Sequence, residues 1–417
     1  MSEVTILFIV LLVSKSCFEL WLEFKNRQYV KEFSGQVPDA YSEFIDNKTY
    51  KRSISYTLAK NLFGIWKTVF DTIFLGLVIL SGFLPWLFAR LDSILGGSSW
   101  ANALILFLVG MVIAIPSIPW DWWSQFRLEE RFGFNKSSQK LWIVDRIKVF
   151  VLTLAIGYPV ILFLLWIVTI SGWWLFASAA VFGLQIVLMI LYPMFIMPLF
   201  NKLEPLPVGD LRDRLMKLSD RTGFKTKSIQ VMDGSKRSGH SNAFFTGFGR
   251  FRRIVLFDTL IQQISDTELE SVLAHEIGHY KLGHIPRMLL LSALSVLLAF
   301  FILSWLLKSP WFYEGFGFSL TEGISPAFIL FSLMSGLVSF WFIPFMNCWS
   351  RTQEFEADAF ASDAVEGYGD LVSSLRKLTE KNLSNLTPHP LYSRFYYSHP
   401  TLLERESALR AKWELDT

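Results

Sequence analysis

Apolar runs of about twenty residues recur seven times along the chain. They fall at about 4–22, 62–88, 100–119, 147–169, 173–198, 288–307 and 326–348. A bilayer core of ~30 Å takes ~20 residues of helix, so each run predicts a membrane-crossing helix. The fourth and fifth are joined only through Ser171-Gly172, which predicts a tight helical hairpin. In the first run, Thr5 to Val13 is preceded by Glu3 rather than by a basic cluster. Lys15, Cys17, Phe18 and Glu19 follow instead of a small-residue cleavage site. That pattern predicts a retained helix, not a cleaved signal.

The longest stretch between runs, 199–287, changes period. Asp210 to Leu218 has the alternation of an amphipathic helix. Ile229 to Met232 and Arg253 to Phe257 look like short strands, with Ser241 to Phe245 as a third, and Gly234, Gly239, Gly247 and Gly249 mark turns. A second helix follows, from about Asp266 to His284. Ser265 sits at its N-cap and Glu268 three residues on, a capping box. Leu269, Val272, Leu273 and Ile277 give it an apolar stripe. The chain therefore divides into 1–198 with five spans, 199–287 as a small α+β unit, 288–348 with two spans, and a polar 349–417.

Composition agrees with a polytopic membrane protein: 52% hydrophobic residues, 39 Phe and 16 Trp, only 18% charged, mean hydropathy +0.39. A net charge of +3 does not point to nucleic acid. The two cysteines, Cys17 and Cys348, lie in or beside apolar runs and offer neither a disulfide framework nor a metal site. Charge does set a direction. With the N-terminus outside, one set of loops holds Lys25, Arg27, Lys31, Lys48, Lys51, Arg52 and Lys60 and many more further on. The other set holds only Arg90 and Lys308. The positive-inside rule then places the C-terminus and the 199–287 unit in the cytosol. Two charge pairs fall inside spans, Lys15 with Glu19 and Lys67 with Asp71. They either face a watery interior or snorkel to an interface.

The second helix carries the chemistry. It contains His275-Glu276-Ile277-Gly278-His279, in a chain with six histidines in all. Histidines at i and i+4 share a helix face and can reach one metal ion, with Glu276 beside them as general base. A zinc ion with one open position lowers the pKa of its water to ~7. The bland alternative is a surface helix with two unrelated histidines. A hydrolytic zinc site takes a third protein ligand. His284 is poorly phased, because nine residues past His275 a continuous helix points it away. Glu354 is the better placed, directly after the seventh run, with Asp358 four residues on to orient His275 or His279. The same segment also fits a solvated juxtamembrane helix of mixed charge.

The HEIGH sequence, the run Glu354-Phe355-Glu356-Ala357-Asp358-Ala359-Phe360-Ala361 and seven spans together resemble the type I CAAX prenyl protease family of integral-membrane zinc proteases. So do Asn242-Ala243-Phe244, Glu130 to Lys136, Pro198-Leu199-Phe200-Asn201, and Ser398-His399-Pro400 with Arg405. Thr401, where many members have a second proline, departs from the pattern. The resemblance implies a mainly α membrane protein, its seven helices forming a barrel around a large water-filled chamber, with the zinc site near the cytosolic end. It implies one Zn2+ per chain on His275, His279 and Glu354, Glu276 as base, and Asn242, Ala243, Phe244 and Arg405 at the substrate. The implied substrate is a peptide or prenylated protein, and the implied reaction is removal of the tripeptide after a prenylated cysteine. The setting would be an endoplasmic reticulum or bacterial inner membrane.

His399, beside a proline in a polar tail, is a candidate oxyanion donor or else a surface residue capping a turn. His240 and His389 are taken as loop residues, with His240 near enough to line the peptide edge. Two other functions stand beside this one. One is a quality-control protease for membrane proteins, which seven spans rather than four disfavour. The other is a non-enzymatic seven-span protein with a structural zinc site. Closed sites often take four Cys or His ligands, unlike this two-His, one-Glu set.

Overall fold

The computed structural model describes residues 1–224, 228–246 and 253–416. The expected turn glycines Gly247 and Gly249 lie outside the described residues. Among those residues, seven helices are long and apolar enough to cross a membrane: Glu3–Glu32, Asn47–Leu80, Ser99–Glu129, Gln139–Ile167, Trp173–Phe200, His284–Leu306 and Ser325–Ala364. They are numbered spans 1 to 7. Span 1 packs on spans 2 and 7, span 3 on span 4, and span 5 on span 6. Phe8, Leu12, Ile79, Ile105, Leu306 and Leu330 bury together in the membrane core.

Several spans outrun their apolar windows, because a helix needs no apolar side chains where polar caps satisfy its first N–H groups. Asp46 accepts from the Thr49 N–H at 2.6 Å, and Ser98 from the Ala101 N–H at 3.2 Å. The run at 62–88 is not one helix. Span 2 stops at Leu80, and a separate helix, Phe83–Leu95, starts after Gly82. Gly82 has φ +78, a conformation that costs other residues ~1–2 kcal/mol. The apolar pattern continues through the turn while the helix does not. The charge pairs inside spans each close on themselves, Lys15 to Glu19 at 2.7 Å and Lys67 to Asp71 at 2.6 Å.

The strands of the 199–287 unit are β1 (Leu203–Pro205), β2 (Ile229–Met232), β3 (Ala243–Thr246) and β4 (Arg253–Phe257). They form one sheet in the order β1-β2-β4-β3, with β2 and β4 parallel and the outer pairs antiparallel. β1, with Glu204 and Pro205, has no strand signature in sequence and occupies an edge, where a proline is tolerated. β3 occupies the other edge. Ile229, Ile254 and Leu256 pack against Leu269, Leu273, Ala274 and Ile277 of the motif helix, Asp266–Lys281. That core extends to Leu215 of the Asp210–Arg221 helix, Ala361 of span 7, Leu371 of the Gly369–Lys381 helix and Leu409 of the Leu402–Asp416 helix.

Candidate metal centre

The motif helix is fixed at its start by the expected capping box. The Glu268 N–H donates to Ser265 Oγ at 3.4 Å, and the Ser265 N–H donates to Glu268 Oε2 at 2.7 Å. Glu268 also accepts from Ser373 Oγ at 2.6 Å and Lys377 Nζ at 2.8 Å. Burial would raise this carboxyl, but the Lys377 ammonium and the hydrogen bonds lower it instead. One turn before its end, the helix crosses span 7 at Gly278. A Cβ there would lie 3.2 Å from Ala357 Cα, from its carbonyl oxygen and from the Phe360 ring. Only the missing side chain lets the two helices approach this closely.

The crossing brings three groups together. His275 Nε2 is 3.2 Å from His279 Nε2 and 3.4 Å from Glu354 Oε2, and His279 Nε2 is 3.3 Å from Glu354 Oε1. Bonds of ~2.0–2.1 Å around a tetrahedral ion separate its ligand atoms by about 3.3–3.4 Å, so the spacing fits. Glu354 Oε2 is buried without a hydrogen-bond partner, as suits an atom that faces a cation. Burial lowers the His275 imidazole, but the Asp358 and Glu354 carboxylates outweigh it and raise the group to about 9. The spot therefore favours positive charge. Two neutral imidazoles and a carboxylate suit a divalent metal of the zinc type.

The surroundings hold His275 in one orientation. Its Nδ1 lies 2.8 Å from Asp358 Oδ1. Asp358 in turn accepts from Arg405 Nε at 2.7 Å and from a second guanidinium nitrogen. A ligating histidine with a carboxylate on its other nitrogen is a common arrangement. Arg405, expected at the substrate, lies beside the cluster, with Nη1 3.8 Å from Glu354 Oε2. Its side chain is 9% exposed, and its planar fork is taken up by Asp358. Glu276 follows His275 on the helix and is half-buried, and burial raises its carboxyl above the usual range.

His399 Nε2 lies 3.3 Å from Glu354 Oε1 while its side chain remains 64% exposed, at the open side of the cluster. The expected peptide edge belongs to β3, an outer strand of the sheet among the described residues. Ala243 begins β3 and packs on the core shared with the motif helix, and Asn242 before it is exposed, its carbonyl accepting from the Phe257 N–H at 3.1 Å. Phe244 packs against Phe257.

Two histidines have more to do than the sequence suggests. His240 stacks on Phe134 with ring centroids 3.9 Å apart, and its nitrogens face Glu129 at 3.3 Å and Asn382 at 3.1 Å. It is pinned rather than loose. His284 stays outside the ligand cluster, as its phase predicts, but for a different reason. The motif helix ends at Lys281, Gly283 takes φ +73, and His284 opens span 6. The chain turns there and lays His284 against His279, Nδ1 to Nδ1 at 2.9 Å. The glycine, a common stop signal, is the clue in the sequence. His389 is an ordinary cap, accepting from the Leu391 N–H at 3.2 Å.

An HExxH helix crossed by a carboxylate-bearing membrane helix, within seven apolar spans, defines an integral-membrane metallopeptidase. Comparison with known proteins agrees. Residues 26–202 match the family described as CAAX prenyl protease N-terminal, five membrane helices, and residues 205–413 match peptidase family M48. The chain is 37% identical to CAAX prenyl protease 1 of Saccharomyces cerevisiae over 95% of its length and 93% of that protein. It is 31% identical to the human CAAX prenyl protease 1 homolog, over 98% and 96%. The crystal structure of S. mikatae Ste24p superposes with a TM-score of 0.91 at 34% identity, over 98% of this chain and 99% of that one. The chain belongs to peptidase family M48, on its CAAX prenyl protease 1 branch, and is a metalloendopeptidase.

Proposed function

We propose that this enzyme is a zinc endopeptidase that removes the C-terminal tripeptide following a prenylated cysteine. The observation that carries the reading is the convergence of His275, His279 and Glu354 next to Glu276 and close to β3, an outer strand of the described sheet. The relatives named CAAX prenyl protease give the substrate class. The zinc site would face the cytosol, in keeping with the basic loops on that side.

His275, His279 and Glu354 would hold the zinc, which when bound would supply Lewis acidity for water activation and carbonyl polarisation. Glu276 takes the proton of the attacking water and delivers it to the leaving amine. The peptide lies extended along β3, its main chain pairing with the Asn242–Phe244 backbone. His399 donates its Nε2–H to the developing oxyanion. Loss of such a donor costs ~2.7–4 kcal/mol of barrier. Asp358, braced by Arg405, accepts the His275 Nδ1–H and keeps Nε2 turned towards Glu354 and His279.

The test is cleavage of a prenylated CAAX peptide by the purified full-length protein. Chelation abolishes cleavage, and Glu276→Gln retains one zinc while losing ~10²–10⁴-fold in turnover. Zinc-replete wild type that leaves the peptide intact, or a Glu276→Gln variant as active as wild type, refutes this function.

A further inference from the structure

The two metal-facing histidines are braced differently. His275 has the carboxylate Asp358 on its outer nitrogen. His279 has another histidine. His279 Nδ1 lies 2.9 Å from His284 Nδ1, and His284 Nε2 lies 2.9 Å from Glu356 Oε2. His284 is 1% exposed, and Glu356 reaches it from span 7, two residues after Glu354. Arg287, one turn further along span 6, stands 3.7 Å from the same carboxylate oxygen.

The chemistry of these atoms allows one arrangement of protons. An imidazole that presents a lone pair to a metal at Nε2 carries its proton at Nδ1. His279 must then donate from Nδ1, so His284 must accept at its own Nδ1. A neutral His284 that accepts at Nδ1 carries its proton at Nε2, and the partner there, Glu356, is an acceptor. Each link supplies what the next one needs. With Nε2 of His275 and of His279 only 3.2 Å apart, either ring could donate to the other. That tautomer would leave a nitrogen unable to bind metal. Asp358 blocks it on one side.

We propose that His284 and Glu356 are positioning residues that block it on the other, fixing the tautomer and ring orientation of His279. Gly283 makes the contact possible, since its left-handed turn ends the motif helix and returns His284 to the face of His279. The brace rests on the reading that His275, His279 and Glu354 hold the zinc. Its two members come from spans 6 and 7, so the membrane helices supply the support as well as the third ligand.

The test measures zinc affinity, by competition with a chromophoric chelator, on the full-length protein in detergent. Outer partners of metal-bound histidines are worth ~10–100-fold in affinity. His284→Ala loses affinity in that range. His284→Asn, whose side-chain oxygen keeps an acceptor near the position of Nδ1, recovers part of it. Glu356→Ala, at a 43% exposed side chain that leaves no buried hole, shows a smaller loss in the same direction. Leu303→Ala, in the buried core of span 6, lowers thermal stability and leaves zinc affinity unchanged. If His284→Ala does not fold, His284→Asn and Glu356→Ala decide. Wild-type affinity in both overturns the proposal, as does a Leu303→Ala loss equal to that of the His284 variants. His279→Ala separates the two layers of argument. If it binds zinc like wild type, or wild type binds none, the ligand assignment falls and the brace with it. If it loses zinc while the brace variants do not, only the brace falls.

Discussion

Gly278→Ala tests whether the helix crossing sets the metal site. In an ordinary helix this change is favourable by ~0.5–1 kcal/mol. Here the new Cβ lies 3.2 Å from Ala357 Cα and carbonyl oxygen, where comfortable carbon contacts are ~3.5–4.0 Å. The Phe360 ring can swing aside, but the Ala357 backbone moves only if span 7 moves. Overpacking of this kind costs ~1–3 kcal/mol, so the balance is destabilising by roughly 0–2.5 kcal/mol. Glu354 lies three residues from Ala357, ~4.5 Å along the same helix, so a retreat of span 7 carries it away from the two histidines. Metal ligands tolerate displacements of ~0.5 Å, about the size of the retreat. If ~1–2 kcal/mol of strain falls on the metal-bound arrangement, zinc affinity drops ~5–30-fold. The assays are chelator competition and thermal unfolding in the same detergent. A variant more stable than wild type with unchanged affinity means the helices have room, and the close crossing is not what positions Glu354.

Two further outcomes follow from the same geometry. Burial raises Glu276 above its ordinary 4.5, so this base takes up its proton at a higher pH than a free carboxylate does. The kcat/KM of the enzyme should fall as pH drops and this base takes up its proton, and a rate that does not fall on acidification contradicts it. Arg405→Ala leaves Asp358, 2% exposed, as a buried charge without its partner, at a cost of ~3–5 kcal/mol. Arg405→Lys, which keeps the charge and loses the fork, falls between, and unfolding of the Ala variant at the wild-type midpoint refutes the role given to this pair.

What was legible in the sequence is what repeats or is local. Apolar length alone predicts seven spans, and the HExxH spacing predicts one helix face with two ligands. Ser265 and Glu268 predict the cap that the helix has. Glu354 and Asp358 are legible as a pair by their i, i+4 spacing directly after a span, although the same spacing also fits a solvated helix of mixed charge. What fails depends on backbone turns and on packing between distant segments. Gly82 divides an apolar run that hydropathy reads as continuous. Gly283 breaks the helix whose continuity excluded His284, so the exclusion as ligand holds while the actual contact with His279 goes unseen. The bond of Arg405 to Asp358, 47 positions away, is likewise unseen in the sequence. The partners of His240, Glu129 and Asn382, are more than 100 positions away on either side.

The placement of the site between two hydrophobic cores follows from where its parts come from. The membrane core takes Ala327, Leu330 and Leu337 from the first half of span 7. The core of the sheet and motif helix takes Ala361 from its other end. Glu354 and Glu356 lie between these anchors, on a helix that neither core can shift alone. His284 likewise stands where the motif helix gives way to span 6. The HExxH helix brings His275, Glu276 and His279, while the membrane helices bring Glu354 and, among the described residues, His284 as the polar partner of His279 outside the cluster. A soluble unit cut out at 199–287 would keep the signature sequence and lose Glu354 and the span-7 contacts around it. On the proposed ligand set, metal binding is a property of the assembled membrane protein, and changes in spans 6 and 7 reach the site only where they displace Glu354, His284 or Glu356.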